Sequence, residues 1–388
     1  MADQAETTAI DEMLQGAVAA GVAPGVVATA ADAYGVIYEG AAGRRSADED
    51  DPVGPDTHFR IASMTKALTS VSALQLIERG ELDLEQPVGD VRPEFDELQV
   101  LEGFDGDTPR LRAPASRATV RQLLTHTSGL TYWIWNADTS RYDDDTGTPN
   151  VVAGTMGAFR NPLGFDPGTR WEYGMNTDWL GQVVEAVSGQ ALDAYVAEHI
   201  FGPLAMADST FQPSDEQRSN LTPVHVRADG GFVVTDLDWV VGPEFYAGGH
   251  ASYTTPRDYL RFQRALMAGG TLDDAQILRR ETVDAMFENH IGELHSVLLH
   301  TAHPDLSNDA EFFPGMAKKW GLGLELVSDD VPGGRRAGSG HWAGLFNTYF
   351  WIDRTSGITG AVYTQLLPFA DEGVIGLLGD FERAVYAR

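Results

Sequence analysis

Cysteine is absent from this chain of 388 residues. That excludes a disulfide framework, thiolate catalysis and any cysteine-ligated metal, and it leaves the redox compartment open. Lysine is almost absent too: only three occur, so 24 of the 27 basic residues are arginine. Set against 57 acidic residues this gives a formal charge of −30, a surface that repels nucleic acid and anionic lipid. The acidic excess is spread through loops such as 46–51 and 143–145, the pattern of solvated faces rather than of a tail. Acidity combined with scarce lysine points to adaptation to high salt. No run of about 18 apolar residues is present, and residues 1–6 lack the basic start and apolar core of a leader. The expectation is a cytoplasmic protein with neither membrane nor nucleic acid as partner, its oligomeric state unknown.

What is present is enough apolar material for a sizeable core, 43% of the residues. The length exceeds the ~250–300 residues at which single cores usually divide, so two lobes are expected. Ile10, Met13, Leu14, Ala17 and Val18 recur at helical spacing and are stopped by Gly21 and Pro24. Residues 26–31 and 34–39 read as a hairpin. A helix after Ser63 carries Met64, Ala67, Leu68, Val71, Leu74 and Ile77 and ends at Arg79 and Gly80. Its apolar positions extend around most of the cylinder, which places it inside the molecule. Helices and loops rich in Gly, Pro and Asp fill the middle of the chain, while 346–352 and 359–364 are β-rich and precede a last helix over 373–386. The reading is an α/β domain from residues 1–80 and 241–388, with a mainly helical domain, 81–240, inserted.

One of the three lysines, Lys66, follows Ser63 by three residues at the start of that buried helix. Positions i and i+3 share a helix face, so the amine can take the hydroxyl proton and make Ser63 a nucleophile. This requires burial or nearby positive charge to lower the lysine from its ordinary value of about 10.4. The helix start adds unpaired N–H groups for negative charge on oxygen. The same residues also fit an N-capping serine followed by a solvated lysine. A second constellation is the turn Pro167-Gly168 leading to Tyr173, a phenol able to act as acid or base if a cation such as Lys66 depresses it, or simply to pack. A third runs from Gly338 to Leu345, small residues entering a strand, where edge N–H groups opposite that of Ser63 would form an oxyanion hole.

In this order and separation the three constellations resemble the serine β-lactamase and penicillin-binding protein superfamily, most closely its class C-like branch with the family VIII carboxylesterases. Residues 121–130, 200–206 and 247–254 resemble that branch as well, and the likeness covers nearly the whole chain. It implies the β-lactamase/transpeptidase-like fold, an antiparallel sheet flanked by helices with an inserted helical domain. It implies that Ser63 is acylated, that Lys66 and Tyr173 serve as acid and base, and that the N–H groups of Ser63 and Leu345 hold the oxyanion. Two departures separate subfamilies. Met175 stands where lactamases carry Asn, with Asn176 displaced by one, and Trp342-Ala343-Gly344 replaces Lys-Thr-Gly. Losing that lysine removes the charge that grips anionic substrates, and an indole favours neutral, apolar ones. Tyr132 and Trp133, by the family's layout, lie on the cleft wall, and with Trp342 and Gly344 they are the candidate substrate-binding residues.

The four histidines His290, His295, His300 and His303 match no zinc spacing, and His126 reads as part of a structural turn. No Gly-x-Ser-x-Gly elbow occurs, which argues against an α/β-hydrolase triad. The expectation is therefore a carboxylesterase without metal or cofactor whose partner is a small neutral ester. A β-lactamase, D-amino-acid peptidase or amidase of the same fold is the alternative within catalysis. A non-catalytic binding scaffold is the alternative outside it.

Overall fold

The computed structural model describes residues 2–228 and 230–388, with side chains from Thr7 onward. Its centre is a sheet that borrows strands from both ends of the chain. Gly25–Asp32 (β1) and Val36–Gly43 (β2) form the expected hairpin. Five more strands follow much later: Lys318–Trp320 (β3), Glu325–Val327 (β4), Gly340–Gly344 (β5), Thr348–Asp353 (β6) and Ile358–Tyr363 (β7). The order is β3-β4-β5-β6-β7-β1-β2, and each neighbouring pair is antiparallel.

Both faces of β1 are covered, which explains a strand made of small and β-branched residues instead of an apolar and polar alternation. Val26, Ala28 and Ala30 pack with Ile10 and Leu14 of the helix Ala2–Ala19 (α1) and with Leu377 and Phe381 of the C-terminal helix Glu372–Tyr386. Val27 faces the other way, into the main core. There it shares space with Thr65–Glu78 (α2), every residue of which from Thr65 to Leu76 is buried. A helix so enclosed must satisfy its polar side chains inside the protein. Thr65 bonds Ser252 at 2.7 Å, Thr69 donates to Gly248 O at 2.8 Å, and Gln75 donates to Ile277 O at 2.9 Å. Beyond it the chain turns out through Gly80, at φ 74°.

Against α2 lies Asn176–Ser188 (α3), the main helix of the stretch 81–240. Two segments of that stretch depart from the expected helical character: Val100–Asp105 pairs antiparallel with Thr108–Arg112, and a second hairpin follows later. His225–Ala228 and Gly231–Val234 form a hairpin whose first strand pairs in parallel with Leu366–Leu367. These are four-residue strands with a partner some 140 positions away, and nothing local announces such pairing. Among the described residues no helix is long and apolar enough to cross a membrane.

Candidate active site

The segment before Ser63 is held on one side by Phe59–Arg60 pairing antiparallel with Tyr253–Thr254. The next constraint is backbone strain. Ala62 adopts φ 43° although it is not glycine, a left-handed conformation that costs an L-residue roughly 1–2 kcal/mol. Ala62 is fully buried, so packing enforces the turn. It swings Ser63 into a single 3-10 turn, Ala62–Met64, that runs straight into α2. Ile61 and Met64 occupy the capping positions of that turn and of α2, without side-chain caps. The Ser63 hydroxyl is therefore not an N-cap.

Nor is Lys66 solvated: it is 2% exposed. Its Nζ donates to Ser63 Oγ at 3.3 Å, to Tyr132 Oη at 3.1 Å and to Gly249 O at 2.9 Å. The amine also lies over two aromatic faces, 4.7 Å from the Tyr173 ring centre and 5.0 Å from that of Tyr132. Burial pushes Lys66 down to about 7, and the charge of Asp178 works against the fall.

Tyr173 is delivered by a clamp. Gly168, at φ 83°, makes the predicted turn, its N–H bonded to Thr127 O at 2.7 Å. His126 grips the tyrosine from both sides: its carbonyl accepts from Glu172 N–H at 3.0 Å and its Nδ1 from Gly174 N–H at 3.4 Å. Gly174 must be glycine, because a Cβ there would sit 2.2 Å from Leu130 O. Burial raises the phenol well above its ordinary value, and bonds with Ser63 and Trp342 bring it part of the way back. The expected depression of Tyr173 by a cation at Lys66 is not what forms. Burial sets the direction, and Lys66 stands over the ring face while its N–H bonds go elsewhere.

Of the two departures from the lactamase pattern, Asn176 points away from the lysine, accepting from Ser128 Oγ at 2.5 Å and donating to His126 Nδ1 at 3.0 Å. The second phenol at Lys66 is Tyr132, whose hydroxyl donates to Asp178 Oδ2 at 2.8 Å. Trp342, on β5, is buried, and its indole N–H bonds the Tyr173 hydroxyl at 3.2 Å. Gly344, at the end of β5, lets the strand approach the serine segment: a Cβ there would lie 2.3 Å from Ile61 O. That approach sets Leu345 and Ser63 on the wall of one narrow cavity of about 30 Å³, with Tyr132, Trp133, Trp135, Trp239 and His250 among the others lining it.

Sequence reading missed Asp178, Gly249 and His250. Gly249 and His250 fall in the run 247–254 that resembles the branch but carry no assigned role there, no motif marks Asp178, and only folding brings the three to α2. The four clustered histidines disperse: His290 pairs with Arg121, His300 with Asp309 and His303 with Ser140, while His295 lines a separate hollow beside Glu293 and Val297. The arrangement joins a serine hydroxyl, an amine poised near neutrality, a protonated phenol and an apolar wall, which together suit attack on an acyl carbon.

The Beta-lactamase family model matches residues 10–381. The monacolin J acid methylbutanoyltransferase of Aspergillus terreus is 32% identical over 384 residues, covering 94% of this chain and 92% of its own length. The lovastatin esterase of Penicillium rubens is 30% identical, with 98% of each chain covered. Among solved structures, the LovD6 mutant of the A. terreus simvastatin synthase superposes with a TM-score of 0.85 at 30% identity, covering 98% of this chain and 95% of that one.

Proposed function

Because this chain belongs to the Beta-lactamase family, whose similar members here are named for acyl transfer and for ester cleavage, we propose that it is a serine carboxylesterase that passes through an acyl-enzyme on Ser63. The observation that carries the reading is the buried Lys66 amine, lowered to about 7 and 3.3 Å from Ser63 Oγ. In the proposed cycle Lys66 takes the Ser63 proton as Oγ bonds the acyl carbon. The N–H groups of Ser63 and Leu345 hold the oxyanion. Tyr173, kept protonated by burial, gives its proton to the departing alkoxide and recovers one from Lys66. Water then resolves the acyl-enzyme.

The substrates are proposed to be small neutral esters, since the narrow cavity is lined mainly by aromatic and aliphatic side chains and Trp342 brings no charge to the place of the lactamase lysine. A second reading is that an alcohol replaces water as acceptor. The same apolar, confined wall favours it, because a site that excludes water lengthens the life of the acyl-enzyme.

Parallel assays separate the readings. The expected result is hydrolysis of p-nitrophenyl butyrate far faster than opening of a chromogenic cephalosporin; the reverse ranking would turn the proposal toward a β-lactamase. Adding a small primary alcohol divides the acyl group between acid and new ester, and the ester fraction measures transfer.

A further inference from the structure

Asp178 of α3 is a fully buried carboxylate that the proposed cycle leaves without a task. Its Oδ2 accepts from the Tyr132 hydroxyl at 2.8 Å and its Oδ1 from Gly249 N–H at 2.9 Å. Both partners reach Lys66 in turn, since Nζ donates to Tyr132 Oη at 3.1 Å and to Gly249 O at 2.9 Å. Two bridges, one phenol and the backbone of one glycine residue, therefore join the carboxylate to the amine.

Their geometry decides where the lone pair goes. A neutral amine has two N–H bonds and one lone pair. With both N–H groups given to Tyr132 and Gly249, the direction left over is that of Ser63 Oγ, 3.3 Å away. Tyr132 cannot compete for the lone pair, because its only proton is already committed to Asp178. We propose that Asp178 is a positioning residue for acylation: through Tyr132 and Gly249 it aims the Lys66 lone pair at Ser63, then holds the ammonium formed when the proton arrives. This rests on Ser63 and Lys66 acting as proposed above.

The surroundings leave that task to Asp178. Lys66 meets Ser63 from its own end of α2, Tyr132 from the loop after Leu130, Tyr173 from the segment before α3, and Gly249 and His250 from the segment before Tyr253. His250 Nδ1 lies 3.7 Å from Asp178 Oδ1 but is pushed by burial to about 4, so it is neutral at pH 7. His126, behind Tyr173, is held lower than its ordinary value by burial and then by Lys66, and is neutral as well.

The test is the burst of p-nitrophenolate from p-nitrophenyl butyrate, giving an acylation rate constant and a binding constant across roughly pH 5 to 9. Asp178→Asn keeps the shape, removes the charge and turns the side chain into a donor toward Tyr132, whose hydroxyl is then free to occupy the lone pair. The expected acylation plateau falls about tenfold or more. The acidic limb moves to lower pH by on the order of one unit, the direction required when a stabilising anion is lost. Tyr132→Phe, which removes one bridge and leaves Asp178 on Gly249, should lower the rate constant with binding unchanged. An Asp178→Asn enzyme with the wild-type limb and a plateau within about twofold overturns the inference. So does a Tyr132→Phe loss confined to binding, which would make that phenol a substrate contact, and this split decides the matter if Asp178→Asn does not fold. A wild type lacking any burst and any adduct on Ser63 defeats the acyl-enzyme reading itself, whereas a normal wild-type burst with indifferent variants defeats only the role of Asp178.

Discussion

The indole N–H of Trp342 is bonded to the hydroxyl of Tyr173 across 3.2 Å, with the two ring centres 4.9 Å apart. The residue expected to meet substrate thus also serves the phenol, as a neutral donor that eases the formation of phenolate in a buried place. Trp342→Phe removes that donor and keeps most of the packing. Turnover of neutral esters should fall by about three- to tenfold, the worth of roughly one hydrogen bond, with little change in thermal unfolding. Trp342→Lys should raise the rate on carboxylate-bearing esters relative to neutral ones; an unchanged ratio counts against the specificity argument.

The pH dependence follows from Lys66. Its folded value is depressed to about 7 by burial, so the amine is charged and unable to accept a proton at lower pH and becomes a base above it. The profile of kcat/KM for a neutral ester should therefore rise through about pH 7. His250, at about 4, cannot supply that limb. A flat profile between about pH 5 and 8 would contradict the assignment of Lys66 as base.

Gly344 offers a test of the oxyanion wall that leaves every reacting side chain in place. A methyl group there meets Ile61 O at 2.3 Å and Thr348 Oγ1 at 2.3 Å, so β5 must back away from the serine turn. Gly344→Ala should reduce stability by about 1–3 kcal/mol and lower activity by much more than an equally destabilising substitution in the sheet away from the serine turn. Denaturant melts paired with ester kinetics measure both.

The formal charge of −30 predicts salt dependence. Self-repulsion among exposed acids such as Asp50 and Asp107, only partly offset by Arg44 and Arg141, is screened as ionic strength rises. The unfolding temperature should climb from low to molar NaCl, and a flat or falling curve would remove the case for salt adaptation.

What the sequence made legible is what local spacing encodes. Ser63 and Lys66 are three positions apart on one helix, and the turn at Pro167 and Gly168 announces a delivered tyrosine, so these residues could be named from the sequence alone. The hairpin of β1 and β2 and the buried helix α2 rest on the same kind of signal. The resemblance places Tyr132 on the cleft wall but does not give its bond to Lys66, and it gives Asp178 and Gly249 no role; the three stand 66, 112 and 183 positions from Lys66 and come to it only because α2 is enclosed on all sides. The pairing of His225 with Leu366 is hidden for the same reason. The state of Tyr173 is set by what spacing does not encode: burial raises its phenol even beside an amine.

The account as a whole stands on Ser63 being made reactive by Lys66. The most direct measurement is intact-mass labelling with a fluorophosphonate followed by peptide mapping, on the wild type and on Ser63→Ala and Lys66→Ala variants of unchanged circular dichroism. The expected result is one adduct, mapped to Ser63 in the wild type, absent in Ser63→Ala and formed slower by a factor of about 10² or more in Lys66→Ala. Labelling that maps to another residue, or that proceeds at the wild-type rate without Lys66, would contradict it.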